Sequence, residues 1–339
     1  MVSPGELRLL GAKKILLEAA GLKMDESLLI LSHENRMNIA QYLLKAAKSI
    51  EVQDVALFMI PKESRPIKRV SNMLAGAIEK ADVLIYLVDR MPEETHIEWG
   101  PLMSLCKKHE CRYLTMHDPK PWYLERGGIL ADYEIVDQKS KKVAAILNES
   151  EKIEVQSEIG TNLTLKLDPK PEVPYRSPSI LFPEMLTRGH IQVPEGEVSM
   201  TPVQDTVNGK LVVDSNGAIT GLGKPFLPVT YVFEAGEMVG VEGDKIFLAE
   251  LCEYVRRSGG KPVLENLDTV EEFAVGTNPW AVLDDNVSNC EKVAGTIHFG
   301  IGHQKEWQHI DHVVTSATVV VTDKKGDKIR LVEKGRLMM

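Results

Sequence analysis

Four of the nine histidines, His298, His303, His309 and His312, fall in GTIHFGIGHQKEWQHIDHVV (295–314), where an even spread would place fewer than one. His309 and Asp311 form an HxD pair. On a strand, residues i and i+2 project from one face, so this imidazole and carboxylate converge. Imidazole suits zinc, iron, cobalt and nickel, and carboxylate adds hard-oxygen character. His298 lies between Ile297 and Phe299 in strand-like sequence. A lone histidine there is a core residue, and the cluster points it toward a metal instead. His303 and His312 read as solvated side chains or as groups beside the site. Two carboxylates sit in comparable settings. Glu197 is followed by Val198 in VPEGEVSMTPVQDTVNGKLVVD (193–214), and Glu272 opens EFAVGTNPWA (272–281). A carboxylate among apolar strand residues is costly to bury unless a cation or metal pairs with it.

The elements that must position these groups fall into two textures. Residues 1–150 alternate helical periodicity (5–21, 38–50, 70–81, 99–110) with short apolar runs (27–33, 54–61, 82–89, 111–118). Continuous apolar strands separated by helices indicate a parallel sheet covered on both faces, hence a doubly wound α/β domain. Near residue 151 the texture changes. Segments 152–168, 210–223, 228–243 and 318–337 alternate apolar and polar residues around Gly- or Asn-containing turns, as antiparallel strands do. KIFLAELCEYVRRSG (245–259) reads as a helix ended by Gly259 and Gly260. The expected organisation is an N-terminal α/β domain over 1–150 and a β-rich α+β metal-binding domain over 151–339.

Composition excludes several classes. The 339 residues carry 40 Lys+Arg against 49 Asp+Glu, a net charge of −9, so no basic field favours nucleic acid. No apolar run approaches the ~18 residues of a membrane span, and the N-terminus lacks a signal-peptide core. Four cysteines without a CxxC pair read as reduced thiols, and the expected location is the cytoplasm. No GxGxxG follows the first strand and no GxxxxGK[ST] is present, so no nucleotide cofactor is expected.

The segments PEGEVSMTP (194–202) with NGKLVVD (208–214), EEFAVGTNPWA (271–281), GTIHFGIG (295–302) and HIDHVV (309–314) resemble, in order, the signatures of the aminopeptidase T family of thermophilic metallo-aminopeptidases. The segment EIGTNLTLKL (158–167) looks like the strand pair that precedes the site there. The resemblance implies that Glu197, Glu272, His298, His309 and Asp311 are metal ligands holding two divalent ions, zinc, cobalt or manganese. It implies a water activated between the ions, a carboxylate of Glu197 or Glu272 as general base, a small peptide as substrate and a homodimeric assembly. The chain departs from that pattern at Lys305, where the peptidases carry a tyrosine, with His303 the nearest polar substitute. The stretch from His298 to His309 is also shorter.

The same scaffold resembles the iron-dependent 2,5-dihydroxypyridine ring-cleaving dioxygenases, which are of similar length and keep the HxD pair within a two-histidine, one-carboxylate triad for one iron. In them a histidine stands at the position of Glu272, and the ligands at Glu197 and His298 are missing. Retention of these three residues favours the hydrolase. A third possibility is a non-catalytic metal-binding protein.

Overall fold

The computed structural model describes residues 2–167, 175–176, 190–213, 219–259, 269–302 and 309–339. The chain divides into two compact units. One comprises Met1–Tyr133 with Ser177–Glu195, the other Glu134–Arg176 with Gly196–Met339.

The first unit is built on β1 (Ser27–His33), β2 (Asp54–Ile60), β3 (Val83–Val88) and β4 (Arg112–His117). They form a parallel sheet in the order β2-β1-β3-β4, extended beyond β4 by a short strand at His190–Gln192. The central strand β3 is buried along its whole length, whereas the edge strand β2 is partly exposed. The runs are continuous in sequence because both sheet faces are covered. On one face Leu29, Leu31, Leu84 and Tyr86 pack with Leu74, Ile78, Leu102 and Cys106 from the following helices. Helix Pro4–Lys14 begins with a capping box between Ser3 and Glu6, the reciprocal arrangement that satisfies two orphan N–H groups.

The second unit holds β5 (Ser150–Gln156), β6 (Asn162–Leu165), β7 (Tyr175–Arg176), β9 (Glu197–Met200), β10 (Asn208–Val213), β11 (Val229–Glu234), β12 (Glu237–Glu242), β13 (Val270–Gly276), β14 (Ile297–Ile301), β15 (Ile310–Val314), β16 (Thr318–Asp323), β17 (Lys328–Glu333) and β18 (Arg336–Leu337), where β8 is the His190–Gln192 strand above. Two antiparallel sheets result. One runs β12-β11-β10-β6-β5-β16-β17-β18 and the other β15-β14-β13-β9-β7. The helix expected over 245–259 spans Lys245–Arg257, capped at its start by Asp244.

The expected boundary at residue 150 differs from the observed division in two respects. Helix Tyr133–Asn148 belongs almost wholly to the second unit, where Ser140 Oγ lies 2.7 Å from Thr277 Oγ1. Its buried stripe, Val136, Ser140, Val143, Ala144 and Leu147, contains a serine, and Asp137 is buried beside it, which breaks the apolar signal. The other difference is β8, a short strand far along the chain that completes the first unit's sheet. The texture change at 151 marks the start of β5 rather than the boundary. No described helix is long and apolar enough to cross a membrane, and the four cysteines are free.

Candidate metal centre

The site lies on the β15-β14-β13-β9 sheet, within the second unit. Antiparallel register places Asp311 opposite Gly300 and Gly300 opposite Glu272, so the three form one row across adjacent strands. In neighbouring rows His298 pairs with Ala274, and Glu197 with Gly276. Strand alternation puts His298 on the face of Gly300, and His309 on the face of Asp311. Four separate sequence segments thus deliver the five predicted ligands to one sheet face.

Glycines make the room. A Cβ on Gly300 would lie 1.9 Å from His309 Cε1 and 2.1 Å from Nε2, so the imidazole occupies the space over this residue. A Cβ on Gly276 would meet Val293 O at 2.2 Å and Glu291 O at 2.8 Å. Its absence lets segment 291–296 lie on the sheet beside Glu197. That segment follows the helical turn Val287–Cys290, where the Asn286 side chain accepts from the Ser288 N–H.

Two kinds of cluster result. In the first, His309 Nε2 lies 2.8 Å from Glu272 Oε2 and 2.9 Å from Asp311 Oδ1. Neither contact has hydrogen-bond geometry, and the buried Nε2 and Nδ1 have no hydrogen-bond partner among the described residues. An imidazole nitrogen converging with two carboxylate oxygens, without donating to either, is the donor set of a divalent cation. These side chains keep 12–21% exposure, which leaves open positions. Thr220 orients Asp311: its Oγ1 donates to Oδ2 at 3.0 Å and accepts from the Asp311 N–H at 3.1 Å. Burial alone would lower the His309 pKa. The charges of Asp311 and Glu272 outweigh it and raise that pKa well above the usual imidazole value. Asp311 is correspondingly held low by His309 against the effect of burial.

The second cluster is sealed. Lys292, 1% exposed, places Nζ 2.6 Å from Glu197 Oε2 and 2.9 Å from Glu291 Oε1. His298 Nε2 lies 3.6 Å from Glu197 Oε2. Burial raises the Glu291 carboxyl, with Lys292 opposing. Ligand-type atoms converge in three overlapping groups: Glu197–Glu272–His298, Glu272–His309–Asp311, and Glu291–His298–Asp311.

All five predicted ligands therefore come together, while His312 does not join them. It sits on the opposite face of β15, fully buried, against Tyr231. Its Nδ1–H donates to Ile310 O at 2.8 Å and its Nε2 accepts from Tyr231 Oη at 2.9 Å, while burial lowers its pKa to about 4. Its expected place beside the substrate is corrected by strand alternation, which sends it into the core. Replacing Tyr231 with Phe leaves the Nε2 acceptor unsatisfied, and chemical denaturation should show a loss of about 1–3 kcal/mol with metal affinity unchanged. His303 and Lys305 lie outside the described residues. Glu291 and Lys292 were missed as site residues. No local pattern in 284–296 marks them, because their place at the site depends on the segment lying over Gly276.

Comparison with known proteins places the chain in a family. No curated protein sequence matches the chain. A 2,5-dihydroxypyridine dioxygenase from Pseudomonas putida KT2440 superposes with a TM-score of 0.70 at 16% identity, covering 100% of this chain and 98% of that one. Wild-type AmpT from Thermus thermophilus superposes at 0.63 with 14% identity, covering 99% and 100%. Both share the fold. The sequence profile of one family, described as NicX, 2,5-dihydroxypyridine 5,6-dioxygenase, matches residues 8–259, a stretch that includes Glu197 and ends before the other four predicted ligands. With most of its length matched, the chain belongs to the NicX, 2,5-dihydroxypyridine 5,6-dioxygenase family.

Proposed function

We propose that the chain is a ring-cleaving dioxygenase acting on a dihydroxylated aromatic ring of the 2,5-dihydroxypyridine kind, with one iron held by Glu272, His309 and Asp311. Family membership moves the reading away from the aminopeptidase and toward this alternative. The observation that carries the metal assignment is the approach of His309 Nε2 to two carboxylate oxygens at 2.8 and 2.9 Å without a hydrogen bond. Two carboxylates and a neutral imidazole balance the charge of a ferrous ion. This donor set departs from two histidines and one carboxylate at Glu272, where an oxygen ligand stands in place of an imidazole.

Bound iron would supply the activation of dioxygen and the attachment point for the ring's oxygens. The residues of the chain do the rest. Thr220 fixes the aim of Asp311, in the way that outer partners orient metal ligands. Gly300 leaves the space in which His309 turns Nε2 to the carboxylates, and with a metal held at Nε2 the imidazole would carry its proton on Nδ1. The sealed Glu197–Lys292–Glu291 cluster forms a dry wall beside the open group.

One observation favours the second reading, a two-metal aminopeptidase: Glu272 is common to the Glu197–Glu272–His298 and Glu272–His309–Asp311 groups, as a bridging ligand would be. The test runs both chemistries on one preparation. Ferrous-loaded protein is expected to consume dioxygen in proportion to the loss of 2,5-dihydroxypyridine absorbance. Release of amino acids from amino-acid amides by zinc-, cobalt- or manganese-loaded protein, without oxygen uptake in the ferrous form, would reverse the assignment.

A further inference from the structure

Lys292 is an unusual residue to find in a centre that attracts divalent cations. The residue is 1% exposed, and its ammonium lies between the carboxylates of Glu197 and Glu291, residues that are themselves 3% and 4% exposed. The distances, 2.6 Å to Glu197 and 2.9 Å to Glu291, are those of charge-assisted hydrogen bonds. Glu197 also belongs to one cation-ready group, with Glu272 and His298, and Glu291 to another, with His298 and Asp311. The ammonium is therefore bonded to one carboxylate from each of the two groups that flank Glu272–His309–Asp311.

We propose that Lys292 is a built-in counter-cation that sets the metal stoichiometry of this centre at one, by holding Glu197 and Glu291 and so denying a second divalent ion its ligands. This rests on the single-metal reading above and deepens it. Fully ionised, the four carboxylates at the site, Glu197, Glu272, Glu291 and Asp311, would carry four negative charges. One divalent ion leaves two uncompensated, and an ammonium reduces that to one without demanding a coordination sphere. An ammonium is a compact point charge that satisfies carboxylates through three N–H donors. Placement on the turn that Gly276 admits to the sheet is what brings it there. Removing one partner of a buried ion pair leaves an uncompensated charge. Without Lys292, a second divalent ion is the cation that restores the balance.

The test is anaerobic titration of the whole chain with Fe2+, repeated with Co2+ as a spectroscopic probe, counting equivalents bound per chain. Wild type is expected to take one equivalent and Lys292→Met two, with the second equivalent raising the melting temperature of the variant. Lys292→Arg, which keeps the charge, should stay at one. Glu197→Gln should also keep one equivalent, because Glu197 shares no ligand group with His309 or Asp311. Two equivalents on wild type, one equivalent on a folded Lys292→Met, or loss of the metal in Glu197→Gln would each overturn the proposal. If Lys292→Met does not fold in either metal, the wild-type and Glu197→Gln counts still decide it. Failure of the dioxygenase reading looks different: a chain that binds one metal and cleaves no dihydroxylated ring keeps this inference. One that cleaves the ring with two metals bound defeats it.

Discussion

The Gly300→Ala variant is expected to fold and to lose metal binding, although no proposed ligand has been changed. The added Cβ would stand 1.9 Å from His309 Cε1, 2.1 Å from its Nε2 and 2.9 Å from Glu272 Cβ. Glycine at this position is required by close approach, not by backbone conformation. It sits in the row between Asp311 and Glu272, and the imidazole lies over it. His309 must rotate out of the site, which separates Nε2 from both carboxylate oxygens. Changes that merely disturb ligand orientation cost 10- to 100-fold in metal affinity, so displacement of the ligand should cost at least about 100-fold. Chelator competition measures this, with circular dichroism as the control for folding. An alanine variant that binds metal as wild type does would mean that His309 is not a ligand.

Asp311→Asn is expected to be the more damaging change to chemistry. It keeps shape and volume and removes one negative charge from the group proposed to hold the metal. Asp311 stands in two of the three ligand groups, faces His309 at 2.9 Å and is aimed by Thr220. The amide retains one oxygen but offers no anionic ligand, and it introduces an NH2 group where Thr220 Oγ1 now donates. Turnover should fall by roughly a thousand-fold, about 4 kcal/mol of lost stabilisation. Fold stability of the metal-free protein should change much less, because the side chain is partly exposed. Steady-state rates at saturating iron separate weak binding from lost chemistry. A variant within tenfold of wild type at full metal occupancy would remove Asp311 from the centre.

Much of this architecture is legible in the chain. The parallel strands announce themselves as apolar runs because both faces of their sheet are buried, and β1 through β4 fall where those runs lie. The HxD pair is legible because alternation on a strand is a fixed geometric rule, and it sends His309 and Asp311 together. The same rule carries His312 to the core, where Tyr231 and Ile310 hold it. Its proximity in sequence had suggested a place at the site. Glu291 and Lys292 were not legible because their role depends on a turn lying over Gly276, a contact between segments that no local pattern encodes. Helix Tyr133–Asn148 was hidden by Ser140 and Asp137 on its buried stripe, and β8 by its brevity. The chemistry was the least legible level. Five ligand-type residues resemble a two-metal peptidase, while the profile over residues 8–259 places the chain in the 2,5-dihydroxypyridine 5,6-dioxygenase family.

The most direct test of the central claim is the fate of labelled dioxygen. Ferrous-loaded protein is incubated with 2,5-dihydroxypyridine under isotopically labelled oxygen, and the product is analysed by mass spectrometry. A ring-opened product carrying both labelled oxygen atoms is the predicted result. An unlabelled product, or an intact ring from a preparation that releases amino acids from amino-acid amides, would contradict it.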